Sequence, residues 1–250
     1  KIKELIDSKS KTCDLIFLQR GNDLSPNIFN NIKIPIIFWS TEPIRRNRDV
    51  DKLLRSNIFS WVYLHLYSCQ KRIVKEFPHL VNRSSVMHNA APIDQFNFSA
   101  KKNIYAIFNR RLSLRRRYWL WPSKNQIVNI NGRYGNDYFN DLNESSIAIN
   151  IHFSRKSLDD FETGIFEAMA SGCVVLSERL HKQTLIDLGM EDAIIQVDSP
   201  LDLKQQLIYL KQNPNVIKYY QKETKLAIEK NTWHERAIIM KRKFKEVCNQ

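Results

Sequence analysis

Glu167 sits one turn into the segment Thr163-Gly164-Ile165-Phe166-Glu167-Ala168-Met169-Ala170, where Ile165, Phe166 and Met169 recur at helical spacing. Thr163 is placed to cap such a helix. The amides of Thr163, Gly164 and Ile165 at its start would then lack intrahelical acceptors, which suits a diphosphate. A carboxylate one turn further in can accept two hydrogen bonds from a vicinal diol such as a ribose. An anion site beside a diol acceptor is the chemistry that holds a nucleotide-sugar.

The surrounding elements have to bring further groups to this helix. Gly172 ends it, and the unbroken apolar run from Cys173 to Leu176 reads as a strand buried on both faces of a parallel sheet. Asn109-Arg110-Arg111 directly follows an expected strand over 104–108, with Arg115 five residues beyond Arg110. Ligands of open α/β sheets bind beyond strand C-terminal ends, so these guanidiniums are expected to face a site. Further strands are expected over 126–130, 147–151 and 193–197, with helices over 114–121, 138–143 and 201–211. His152, at one strand end, either meets a donor sugar or is a core histidine. Tyr134, in Gly132-Arg133-Tyr134-Gly135, either stacks on a base or fills an interdomain wall.

The first hundred residues repeat the alternation on a smaller scale. Strands are expected at 14–18, 34–39, 61–66 and 86–87, with a helix from Ser68 to Glu76 stopped before Pro78. Glu42 and the basic residues Arg45, Arg46 and Arg48 follow the second strand. His65 and His88 read better as core or surface residues than as ligands. A single long basic helix is expected from about Val216 to Val247.

The stretch Asp159 to Glu178 resembles the donor-binding signature of retaining GT-B glycosyltransferases, in which two acidic residues lie eight positions apart before an alanine- and glycine-bearing run. Asp159 and Glu167 have that spacing. Asn150-Ile151-His152 with Phe166-Glu167-Ala168 is similar to the CgeB-like branch. Two departures stand out, since Asp159 replaces the usual Glu and Glu162 stands where the family often has glycine. The resemblance implies an α/β, GT-B-like fold of two Rossmann-like domains facing across a cleft, the N-terminal one short. Residues 1–96 would form the acceptor side and 97–215 the nucleotide-sugar domain, with the basic helix of 216–250 packing back on the first. It implies that Glu167 holds the donor ribose and that Asp159, Thr163, Gly164, Ile165, Tyr134 and His152 line the donor. Arg110 and Arg115 would meet the diphosphate, with Arg111 and Arg116 as the same pair one register on. No catalytic base is identified; Arg110, Arg115 and Glu42 are the catalytic candidates. The resemblance also implies transfer with retention, without cofactor or metal.

The 250 residues carry a formal net charge of +13, which calls for an anionic partner. The first is the nucleotide-sugar. The acceptor is a glycan, a lipid-linked glycan or a protein, with an anionic membrane surface as a peripheral contact and nucleic acid a less favoured partner. A DNA-modifying transferase and a degenerate nucleotide-sugar-binding protein are the alternatives. No apolar run reaches the roughly 18 residues of a membrane span. Cys13, Cys69, Cys173 and Cys248 are widely separated, as reduced thiols of a cytoplasmic protein would be, one that could work at the inner face of the membrane. The chain opens at Lys1 without methionine, so an upstream segment is expected.

Overall fold

The computed structural model describes residues 1–44, 49–153 and 161–249. They form two compact units, Lys1–Asn89 with Arg236–Gln250, and Ala90–Glu235. Each is built on its own parallel sheet, as the α/β reading requires.

The first unit contains helix α1 (Ile2–Lys9), strands β1 (Ile16–Gln19), β2 (Ile36–Ser40), β3 (Trp61–Leu64) and β4 (Ser84–Val86), and helices α2 (Asp51–Arg55) and α3 (Tyr67–Glu76). Its sheet runs in the order β1-β2-β3-β4, all parallel. Every residue of β2 is buried, which explains its continuous Ile-Ile-Phe-Trp run. The strand order does not reverse anywhere in this sheet.

In the second unit the strands are β5 (Ile104–Phe108), β6 (Val128–Asn129), β7 (Ser145–Asn150), β8 (Val174–Glu178) and β9 (Ile194–Val197). The helices are α4 (Leu114–Leu120), α5 (Gly135–Asn143), α6 (Thr163–Ala170), α7 (Lys182–Leu188), α8 (Pro200–Gln212) and α9 (Pro214–Glu229). The order is β6-β5-β7-β8-β9, again all parallel. Phe108, Ile147, Ile149, Val174 and Leu176 pack against Leu203, Leu207 and Leu210 of α8 in its core. Here the chain moves outward from β5 to β6 and then returns to β7 on the other side of β5. That reversal is a topological switch point, where open α/β sheets bind ligands beyond the strand ends. Asn109-Arg110 leaves β5 at this point, and His152 leaves β7.

The single helix expected over 216–247 is two, α9 and α10 (Trp233–Cys248). Asn231 causes the break. Its carbonyl accepts from the amide of Ala91 at 2.8 Å, and its buried side chain donates to Leu188 O and Ala227 O at 2.7 and 2.8 Å. Thr232 then caps the new helix by accepting from Glu235 N at 3.2 Å. Helices α1, α2 and α7 were not expected; α1 buries no residue and so carries no core-facing stripe to read. Among the described residues no helix is long and apolar enough to cross a membrane.

Candidate functional site

Helix α6 carries the site. Its cap residue is Glu162, not Thr163, which is the first helical residue, and among the described residues no side chain caps the helix. The reason is that the Glu162 carboxylate is claimed elsewhere. One oxygen pairs with Arg110 Nε at 3.1 Å and the other with Arg116 Nη2 at 2.9 Å. Among the described residues the leading amides of α6 have no side-chain acceptor, and Ile165 N donates to Glu162 O at 2.9 Å.

Arg110 lies directly over this helix start. A Cβ added to Gly164 would come within 1.7 Å of Arg110 Nη2, so glycine is what lets the guanidinium settle there. Nη2 is buried and has no hydrogen-bond partner among the described residues. A buried guanidinium nitrogen left unmatched is costly unless a ligand completes it. Arg116, 3% exposed, completes the arrangement from below. Its Nε donates to Ile151 O at 2.7 Å and its Nη1 to Arg111 O at 3.0 Å. Burial pulls its pKa down, and the Glu162 carboxylate opposes that shift.

Arg115 is used differently. It grips Glu178 with both terminal nitrogens, one bond measuring 2.8 Å, and donates to His152 O at 2.9 Å. The two guanidiniums that converge on the helix start are thus Arg110 and Arg116. His152 is fully buried, with Nε2 2.8 Å from Arg179 O and its amide donating to Glu178 at 3.2 Å. A carbonyl only accepts, so Nε2 carries the proton and Nδ1 is left without a partner among the described residues.

Glu167 stands one turn into α6, half-buried, and its Oε2 accepts from Tyr138 Oη at 2.6 Å. Tyr134 is 84% exposed between Gly132 and Gly135, both at positive φ (86° and 59°), which glycine supplies without strain. Its neighbour Arg133 pairs with Asp141 at 2.8 Å. In the other unit, Glu42 pairs with Arg20 at 2.7 Å. His65 and His88 are buried there, their Nδ1 atoms 3.0 and 2.9 Å from Ser40 O and His65 O. Asp159 and its neighbour Asp160, and Arg45, Arg46 and Arg48, lie outside the described residues. Among those described, no group of three or more His, Cys, Asp and Glu is placed to hold a metal ion.

Three residues of this arrangement were not singled out by sequence reasoning. Glu162 figured only as a departure from glycine, Glu178 only as the end of the resembling stretch, and Tyr138 only as the start of an expected helix. None carries a local signal, since each matters through a contact with a residue 29 to 63 positions away.

Residues 100–241 match the family model described as glycosyl transferase-like. No curated protein matches the chain. Among solved structures, the chain is similar to the pneumococcal O-GlcNAc transferase GtfA in complex with UDP and GlcNAc, at 12% identity and TM-score 0.62 over 100% of this chain and 60% of that one. A glycosyltransferase from Rickettsia africae ESF-5 matches at 11% identity and TM-score 0.67, over 98% and 79% of the two chains. An alpha-glucosyltransferase in complex with UDP-glucose and DNA containing an abasic site matches at 12% identity and TM-score 0.64, over 98% and 84%. The chain thus spans 60% of the length of GtfA.

Proposed function

Since the chain belongs to the glycosyl transferase-like family and has the GT-B fold, we propose that it moves a sugar from a nucleoside-diphosphate donor bound at α6 to an acceptor hydroxyl. The observation that carries this reading is the unmatched Arg110 Nη2 over the uncapped start of α6. In the reaction the bond from the anomeric carbon to the diphosphate breaks, and its electron pair stays on the diphosphate. The acceptor oxygen bonds to that carbon and passes its proton to the departing diphosphate oxygen. Negative charge grows on the leaving group, where Arg110 and the helix amides can meet it. The resemblance of Asp159 and Glu167 to the acidic pair of retaining GT-B glycosyltransferases supports retention at the anomeric carbon.

A thermal-shift panel of UDP-, GDP-, ADP- and CMP-sugars tests the donor class. At least one diphosphate sugar should raise the melting temperature, and CMP-sugars, with one phosphate, should not. No shift with any diphosphate sugar would end this reading. Cleavage of the active donor should then survive EDTA, because guanidiniums and amides supply the positive charge. Loss on chelation with recovery in Mn²⁺ would show a metal-held donor instead.

The acceptor side is read from charge. Leu114 and Tyr118 of α4, with Trp121 directly after its end, share one outward stripe and are 87%, 70% and 67% exposed. Arg117 beside them is exposed too, and Lys124 Nζ lies 4.1 Å from the Trp121 ring centroid. Apolar and aromatic groups edged by cations fit an anionic lipid surface. The protein should therefore cosediment with anionic vesicles and not with neutral ones, and Trp121→Ala should weaken that binding. Salt-sensitive binding to duplex DNA without vesicle binding would point to a DNA acceptor.

A further inference from the structure

Tyr138 has no part in the reading above, yet it is the one side chain that hydrogen-bonds the Glu167 carboxylate among the described residues. Its hydroxyl lies 2.6 Å from Glu167 Oε2 and 3.0 Å from Asn109 Nδ2. The amide nitrogen of Asn109 only donates, so the tyrosine oxygen accepts there and sends its single proton to Glu167. Burial, reinforced by the facing carboxylate, raises the Tyr138 pKa well above the ordinary phenol range. The hydroxyl thus stays protonated and acts as a fixed donor, not as an acid or base. The ring is set by an edge contact with Phe139 at 5.7 Å.

We propose that Asn109 and Tyr138 form a positioning relay that fixes the rotation of the Glu167 carboxylate so that Oε1 reads a ribose hydroxyl of the donor. This rests on the donor reading above. A carboxylate at the end of a glutamate rotates broadly about its last bond. Held at one oxygen, it presents the other in one direction, and the ordering cost is met before the ligand arrives. Oε1 has no hydrogen bond among the described residues, so it is available for that contact. The relay starts at Asn109, next to Arg110. Consecutive residues at the end of β5 therefore set the diphosphate end and the ribose end of α6. A purely structural tyrosine would stabilise the fold without affecting which nucleotide binds.

The test compares affinities for ribo- and deoxyribonucleotides. The probe is whichever of UDP, GDP and ADP binds tightest, alongside its 2′-deoxy and 3′-deoxy forms and inorganic pyrophosphate. In the natural protein one deoxy form should bind about tenfold more weakly, the worth of a good hydrogen bond. In Tyr138→Phe, which keeps the ring, the ribonucleotide should lose most of that advantage while pyrophosphate affinity stays unchanged. Asn109→Ala should move in the same direction and carries the test if Tyr138→Phe does not fold. If both variants discriminate as well as the natural protein, the relay is overturned and the donor reading stands. If the natural protein binds ribo and deoxy forms equally, Glu167 does not read the ribose and the relay fails with it, whereas pyrophosphate binding would still support the arginine site.

Discussion

Replacing Arg110 with alanine should weaken nucleoside-diphosphate binding by about 1.5–3 kcal/mol, the range for a hydrogen bond to a charged group, and leave the bare nucleoside nearly unaffected. Calorimetric titration of both ligands reads the difference. The asymmetry follows from geometry, since Nη2 lies over Gly164 at the start of α6 and has no hydrogen-bond partner among the described residues. Arg110→Lys should recover only part of the loss, because a lysine offers a point charge without the planar fork. Gly164→Ala should resemble Arg110→Ala, since its new Cβ would occupy the space of the guanidinium. Arg115→Ala provides the contrast. That guanidinium is committed to Glu178 and His152 O, so its loss should lower the melting temperature without changing the preference for the diphosphate. Equal losses for nucleoside and diphosphate in Arg110→Ala would sink the clamp.

Glu167→Gln should cost about 1–3 kcal/mol in nucleotide affinity while pyrophosphate binding holds. Tyr138 determines how the substitution fails. Its hydroxyl proton attracts the new amide oxygen, so the amide nitrogen turns toward the ligand and offers a donor where an acceptor is needed. A folded Glu167→Gln protein with unchanged nucleotide affinity would remove Glu167 from the ribose role.

Much of the architecture could be read from apolar runs. β5 was placed at its observed ends, and β2 and β8 within two residues, because strands buried on both faces leave continuous stretches such as Ile36 to Trp39. The positions of Glu167 on α6 and of Arg110 just past β5 were legible too, since strand ends and helix starts follow from those runs. The partner of Arg110 was not. Arg115 and Arg116 are adjacent, but neighbours on a helix point about 100° apart, and only the packed structure shows which one turns toward Glu162. The capping role given to Thr163 failed for a related reason. Cap preference is a local rule, and here two distant arginines recruit Glu162 and shift the start of the helix. The break at Asn231 depends on carbonyls of Leu188 and Ala227 and on the amide of Ala91, of which only Ala227 is near in sequence.

Arg116 has a consequence for comparing sequences. Its single guanidinium ties the end of β7 through Ile151 O, the turn after β5 through Arg111 O, and the start of α6 through Glu162. Any homologue that keeps these three segments in register needs a planar, multiply donating cation at this point, and lysine cannot make all three bonds. Arg116 would then be among the most invariant positions of the site on architectural grounds alone. A ranking of site residues by invariance would place this buried strut beside Arg110, although the ligand-facing nitrogen belongs to Arg110.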